Sequence, residues 1–250
     1  MKLSFIIITW NGKQLISDCL KSISSFIGRP DTEILVVDNG STDGTVEFLK
    51  SQYPDIRLFQ QSENRGVAAA RNIALKAAKG DYLFIIDNDL ILNDVAVEGM
   101  MQFIESHTDV GICGCLLRDA YGNIQPSAKK YPGIWMKLRN IIRSGKYNYT
   151  YDLKTCKEPF EPVYIIGACQ LVRRKAFEEV GLLDDHIFYG PEDADFCLRM
   201  REKNWRVVFL PQFEMVHYCQ RVTNKRIFSS LGRKHLRGLF YFYRKYKRLF

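Results

Sequence analysis

The sequence predicts an α/β fold in which a mostly parallel, Rossmann-like sheet is flanked by helices, and three observations carry that prediction. Over the first 110 residues, short apolar runs alternate with segments whose apolar residues recur at helical spacing. The connections are short and hold Asn-Gly, Asp-Asn-Gly or Asp-Asn-Asp, as turns do. The strand-like runs are apolar on both faces, as in a sheet buried on both sides.

Leu3 to Thr9 reads as the first strand, and Leu15, Cys19, Leu20 and Ile23 share the face of a first helix. Glu33 to Val37 is the second strand; Ser41 or Thr42 then caps a helix through Val46 and Leu49. Ile56 to Phe59 is a third strand, Ala68 to Lys79 an alanine-rich helix stopped by Gly80, and Tyr82 to Ile86 a fourth strand. Residues 119 to 160 show no period beyond a short helical pattern at 134–143. Val163 to Arg173 returns to strand, interrupted at Gly167-Ala168, and a short helix follows over Lys175 to Val180. Pro191 suits the first turn of a helix running to about Lys203, and two strands follow, Arg206 to Leu210 and a short one before His217. Ligands of such sheets bind beyond the carboxyl ends of the strands. Thr9-Trp10-Asn11, Asp38-Asn39-Gly40 and Asp87-Asn88-Asp89 should therefore line one crevice.

The 250 residues are 46% hydrophobic and 26% charged, which excludes a disordered chain. No apolar run reaches the roughly 18 residues of a membrane span. The N-terminal run has no small-residue cleavage site and reads as a buried strand rather than a signal peptide. Seven scattered cysteines without a C-x-x-C pair argue against disulfides and structural zinc, and favour a reducing cytosol. The net charge of +8 is uneven: Met215 to Phe250 holds ten Lys or Arg and no acid, leaving a net −2 elsewhere. A slightly acidic body with a basic tail points to a surface contact rather than to nucleic acid.

Each candidate residue has two readings. Asp87 and Asp89 at a strand end suit Mg²⁺ or Mn²⁺ holding a diphosphate, or they precede and cap the helix near Asn93. Asp38 either closes an Asx turn or accepts from a nucleobase or ribose. Arg71, in a helix of small residues, contacts phosphate, fixes the aspartate cluster, or lies on the surface. Glu192 and Asp193 offer a general base, or serve as acids at a helix N-terminus. His217 completes a metal site with Asp89, or is structural. In the tail, basic residues interleaved with Leu236, Leu239, Phe240, Tyr241, Phe242 and Tyr243 suit a helix on an anionic membrane, packing on the domain, or both.

Together, Ile-Ile-Thr-Trp-Asn-Gly, Leu-Val-Val-Asp-Asn-Gly-Ser-Thr-Asp-Gly-Thr, Asn-Arg-Gly-Val-Ala-Ala-Ala-Arg-Asn, Asp-Tyr-Leu-Phe-Ile-Ile-Asp-Asn-Asp, Gly-Pro-Glu-Asp-Ala-Asp-Phe-Cys-Leu-Arg and Val-His-Tyr resemble, in order, the family-2 inverting glycosyltransferases of the GT-A fold. The closest likeness is to the rhamnosyltransferase-like branch, and it spans about residues 3 to 218. The resemblance implies a GT-A domain over 1–220 and a basic, aromatic C-terminal helical extension over 221–250. It implies that Thr9, Asn11 and Asp38 hold the nucleoside, that Arg71 lies near the diphosphate, and that Asp87 and Asn88 contact the donor. Asp89 and His217 match metal ligands, for Mg²⁺ or Mn²⁺, and Asp193, within the Glu192-Asp193 motif, matches the catalytic base. Two departures stand out: Asp87-Asn88-Asp89 replaces the Asn-Pro-Asp common in the branch, and Trp10 replaces a more usual Tyr. The chain is also short for the branch, so a separate dimerisation domain is not expected.

The implied activity is metal-dependent, inverting transfer from a nucleoside-diphosphate sugar, UDP- or dTDP-linked, to a glycan or polyprenyl-linked hydroxyl in cell-surface polysaccharide assembly. It places the protein in the cytoplasm, on or near the inner face of the membrane, with no nucleic-acid partner. A nucleotidyltransferase should carry a Gly-rich phosphate loop after the first strand, where this chain has Thr9-Trp10-Asn11-Gly12-Lys13. A non-catalytic sugar-nucleotide-binding module would keep the donor motifs and could dispense with Asp193.

Overall fold

The computed structural model describes residues 2–130, 151–218 and 230–246. The helical pattern at 134–143 lies outside them. The parallel half of the sheet is built by β1 (Leu3–Thr9), β2 (Thr32–Asp38), β3 (Arg57–Gln60) and β4 (Tyr82–Asp87). The other half comprises β5 (Leu90–Ile91), β6 (Val110–Arg118), β7 (Ile124–Gln125), β10 (Cys169–Arg173) and β11 (Arg206–His217). The nine strands run β3-β2-β1-β4-β10-β6-β11-β5, with β7 paired to β6, and β8 (Ala128–Lys129) and β9 (Tyr164–Ile165) form a separate two-stranded sheet.

Side chains alternate across the strands, and each face meets its own helices. Phe5 and Ile7 of β1 join Ile16, Cys19 and Leu20 of α1 (Lys13–Ser22) and Val97, Met100 and Ile104 of α4 (Asp94–Ser106). On the opposite face Ile6 packs with Ala68, Ala70 and Ala74 of α3 (Val67–Ala77) and Phe196 and Met200 of α6 (Glu192–Glu202). Burying each large apolar side chain contributes about 1.5–3 kcal/mol, so these two layers fix the sheet. Two further helices complete the layers: α2 (Thr45–Gln52) lies against the edge strand β3, and α5 (Arg174–Val180) against β10 and β6.

Strand direction matters more to function than strand count. Thr9 pairs with Asp38, and Asp87 with Ile8, so three loops leave the parallel strands at one level. β10 runs antiparallel to both β4 and β6, so its beginning, not its end, reaches that same edge. Gly167 and Ala168 therefore arrive beside Asp87, whose backbone N–H donates to the Ala168 carbonyl at 3.2 Å. β11 is parallel to β6, and its last residue, His217, pairs with Leu90 next to Asp89.

Two expectations are refined. The helix after β2 starts at Thr45, because the Asp38 and Asn11 side chains take the Ser41 and Thr42 N–H groups and Asp43 takes that of Thr45. The two strands expected over 206–217 are one, with a register shift between Leu210 and Glu214, where Pro211 has no N–H to pair.

The last described helix, α7 (Ser230–Lys245), packs on the α3/α6 face through Leu239, Phe242 and Tyr243. The Lys245 ammonium sits 2.7 Å from both Asp184 and the fully buried Asp195. Tyr241 donates to Asp184 at 3.0 Å and Tyr246 to Asp195 at 2.9 Å. Burial alone would raise the Asp184 carboxyl, but the hydrogen bonds from Lys245, His186 and Tyr241 outweigh it and hold it at about 2. Lys245→Met should cost about 1–3 kcal/mol, read as a lower urea midpoint at pH 7. A carboxyl held low stabilises the fold above its ordinary value near 4, and that stabilisation is lost as pH falls toward 2. The gap between wild type and variant should therefore narrow over that range.

Candidate active site

The acids expected at the start of α6 point three ways, as a 100° step per residue dictates. Asp195 turns outward to Arg199 at 2.8 Å and to α7. Glu192 is buried and turns inward toward Arg71, its Oε1 3.6 Å from the guanidinium. Asp193 is partly exposed; its Oδ1 accepts from the Ala194 N–H at 2.7 Å and its Oδ2 from the Gly167 N–H at 3.2 Å. The carboxylates thus occupy a helix N-terminus, as one reading of this turn expects, and Asp193 is the one held beside Gly167.

Arg71 is not a surface residue. Its side chain is 3% exposed, and it donates to Asp87 Oδ1 at 2.5 Å and to the Gly167 carbonyl at 2.8 Å. Small residues around it on α3 let the helix approach the strand ends closely enough for this reach. Gly167 has no room for a side chain: a Cβ there would lie 2.5 Å from the Arg71 guanidinium. One loop residue thus receives Arg71 on its carbonyl and gives its N–H to Asp193.

The residues expected to hold the donor are braced by the loops around them. Thr9 is buried and accepts from the Asn88 amide at 2.9 Å. Asn11, with φ of 47°, accepts from the Thr42 N–H at 2.8 Å and locks the β1 loop to the β2 loop. Asp38 accepts from the Ser41 N–H at 3.0 Å through Oδ1, which is the turn-closing role, while its buried Oδ2 has no protein partner. A buried carboxylate oxygen left unpaired is costly, and a ligand donor would satisfy it. Trp10 stands half-exposed at the rim.

Asp87, Asp89 and His217 each bring a ligand atom within 4.8 Å of the others. The proton on His217 can be assigned from its neighbours. The Gln125 amide N–H donates to the His217 carbonyl at 2.6 Å, so its oxygen faces the ring, 2.7 Å from Nδ1. Nδ1 must therefore carry a hydrogen. Nε2 then lies 3.1 Å from Asp89 Oδ1, an attractive arrangement only with a proton or a metal ion between them. Burial lowers the His217 pKa, but the hydrogen bond and charge of Asp89 outweigh it and raise it above its ordinary value. The set fits a divalent cation: hard carboxylate oxygens, plus an imidazole whose far nitrogen is fixed by hydrogen bonding, as metal-ligating histidines are. A second trio, Asp184, Asp185 and His186, is also within 4.8 Å, but Lys245 and Tyr241 already occupy Asp184.

A family model described as glycosyl transferase family 2 matches residues 4–181. The chain belongs to that family. Glu192, Asp193 and His217 lie beyond the matched stretch, yet they reach the same sheet edge. The N-acetylglucosaminyl-diphospho-decaprenol L-rhamnosyltransferase of Mycobacterium tuberculosis is 28% identical, over 93% of this chain and 81% of that protein. The rhamnosyltransferase WbbL of Escherichia coli is 26% identical, over 94% of this chain and 90% of its own length. Among solved structures, a mannosyltransferase from Pyrobaculum calidifontis in complex with GDP-Man and Mn²⁺ superposes with a TM-score of 0.66 at 20% identity. It covers 99% of this chain and 64% of that one. Staphylococcus aureus TarS with UDP-GlcNAc gives 0.60 at 21% identity, over 86% and 58%. This chain thus spans less than two thirds of either solved structure. The likeness establishes the GT-A fold.

Two site residues of this family-2 chain carried no signal in the sequence. Gln125 lies in the aperiodic stretch and reaches His217 only because β7 folds back on β6. Gly167 looked like a break in a strand, and its role comes from the reversed direction of β10.

Gln125→Ala should weaken Mn²⁺ binding about tenfold or more by freeing the His217 ring, measured by calorimetry. Burial first, and the Asp193 charge second, raise the Glu192 carboxyl to about 7, against the pull of Arg71. Between its ordinary 4.5 and 7 the folded chain holds a proton that the unfolded chain has released, so stability falls as pH rises. Glu192→Gln removes this dependence. Its melting temperature should match wild type at pH 5 and exceed it at pH 8, by up to about 3 kcal/mol in stability.

Proposed function

We propose that this protein transfers a sugar from a nucleoside-diphosphate sugar, UDP- or dTDP-linked, to a hydroxyl of a glycan or polyprenyl-linked acceptor, with inversion at the anomeric carbon. The observation that carries the reading is the joining of the Asp87, Asp89 and His217 trio to the crevice-facing Asp193 through Arg71 and Gly167. The names of the rhamnosyltransferase relatives favour a deoxyhexose donor. The name of the mycobacterial one favours a polyprenyl-diphosphate-linked acceptor in surface polysaccharide assembly.

In this reading Asp89 and His217 hold Mg²⁺ or Mn²⁺, which when bound neutralises the charge that develops on the departing diphosphate. Asp38 offers its unpaired oxygen to a donor group on the nucleoside, Thr9, Asn11 and Asn88 shape the wall beside it, and Trp10 supplies a stacking surface at the rim. Asp87, held by Arg71, borders the diphosphate. Asp193 takes the proton of the acceptor hydroxyl; the oxygen forms its bond to the anomeric carbon as the bond to the diphosphate breaks, and the electron pair leaves with the diphosphate. Attack from the face opposite the leaving group inverts the centre. Glu192 touches Arg71 rather than the crevice, so its part is to position Arg71.

The test is nucleotide binding and transfer together. UDP, dTDP, GDP and CDP are titrated with and without Mn²⁺, and one of them should bind only with the metal, an effect lost in Asp89→Ala. Asp193→Asn should lower transfer at least a hundredfold while leaving that nucleotide's affinity within a few-fold. An active Asp193→Asn enzyme sinks the base assignment. Tight donor binding without transfer to any acceptor would favour a sugar-nucleotide-binding module.

A further inference from the structure

The helix α7 has two unlike faces. Gly238, Leu239, Phe242 and Tyr243 are buried against the domain, so the apolar demand of folding is met on that side. Arg233, Leu236, Arg237, Phe240 and Arg244 are all exposed, and their spacing sets them on one stripe about 100° wide along the opposite side. Leu236 is 43% exposed and Phe240 73%. The helix contains no acidic residue, and Arg233, Arg237 and Arg244 form no ion pair or hydrogen bond within the described structure. A surface helix that only needed to stay in water would carry polar residues at 236 and 240 and acids among its arginines.

We propose that this stripe is a membrane-surface contact. α7 lies flat on an anionic bilayer, with Leu236 and Phe240 at the boundary between head groups and acyl chains and Arg233, Arg237 and Arg244 on lipid phosphates. Apolar side chains flanked by cations with flexible stems match that interface, where the stems run along apolar surface and the charges stay at head-group level. Each basic residue near an anionic leaflet adds attraction, and the body of the protein, at net −2 outside the last 36 residues, supplies none. No described helix is long and apolar enough to cross a membrane. Nucleic acid is the poorer partner, because a phosphate backbone has no use for the apolar pair in the middle of the stripe.

The place of α7 gives the contact a purpose, which alone rests on the glycosyl-transfer reading. The His235 Nδ1 is 2.9 Å from the Tyr189 carbonyl, and the Lys234 ammonium lies 3.7 Å from the centre of the Phe188 ring. These residues lead through Gly190-Pro191 into Glu192 and Asp193. The membrane-facing helix therefore packs on the loop that delivers the base, and a lipid-linked acceptor would meet that loop first.

The experiment is sedimentation of the full chain with vesicles of phosphatidylglycerol and phosphatidylcholine at 3:7, and with pure phosphatidylcholine. Wild type should partition onto the anionic vesicles and not the neutral ones. Leu236→Ser with Phe240→Ser should reduce that partition at least tenfold, with melting temperature and metal-dependent nucleotide binding unchanged. Arg237→Gln with Arg244→Gln should reduce it as well. Absence of wild-type binding overturns the proposal. So does undiminished binding by the serine variant, which would move the affinity to the basic residues of 219–229 and 247–250. Binding to heparin or DNA that survives the serine changes, with vesicles ignored, overturns it too. None of these readouts needs an acceptor, so loss of the membrane contact and loss of the transfer activity are separate results.

Discussion

The site depends on one buried cation. Arg71 lies beneath the ends of β1 and β4, where a guanidinium would be costly without partners. It is compensated from three directions: by Asp87 at the end of β4, by the Gly167 carbonyl ahead of β10, and by Glu192 at the start of α6. Apolar packing and the strand ladders place those elements. The geometry of the guanidinium then fixes how their functional ends face one another, because five donors in a rigid plane leave few arrangements. Loss of Arg71 would leave Asp87 and Glu192 close together without the charge between them.

The same edge gathers residues that are distant in sequence because the sheet mixes directions. In a purely parallel sheet only carboxyl ends would reach the crevice. The antiparallel β10 adds an amino end, which brings in Gly167, and β11 runs long enough past its register shift to set His217 against Asp89. Gln125, one short strand further on, then selects the nitrogen that carries the imidazole hydrogen. Three carboxylates, Asp87, Asp89 and Asp193, gather at this edge, and among the described residues the ion-pair partners there are Arg71 and His217. That excess of carboxylate is chemically suited to a divalent cation and a diphosphate together.

Much of this was legible in the residues. The parallel half of the sheet follows from continuous apolar runs, the crevice from Asp38 and Asp87 at strand ends, and the helix carrying Asp193 from Pro191 and three acids. Periodicity could not distinguish the three acids, since all suit a helix start equally; only packing shows that Asp195 belongs to α7 and Glu192 to Arg71. Arg71 read equally well as exposed or buried, because its alanine neighbours are compatible with either. Gln125 and Gly167 carried no pattern at all. Their roles arise from pairings between strands far apart in sequence, and no local rule encodes the direction of β10.

Gly167 shows how the two halves of the chemistry are coupled. Its N–H holds the Asp193 carboxylate and its carbonyl holds the Arg71 guanidinium, which in turn holds Asp87. In the proposed reaction, the metal-side and base-side carboxylates are thus referenced to a single residue rather than to two loops that could drift independently. A donor that pulled on Asp87 would be felt at Asp193 through two hydrogen bonds and one ion pair. Displacement at an anomeric carbon needs base and leaving group aligned on opposite faces, and small errors in that alignment are expensive in rate. A side chain at 167 would meet the Arg71 guanidinium at 2.5 Å and push it aside, so in the proposed reaction the glycine serves the alignment of the reacting groups as well as the packing.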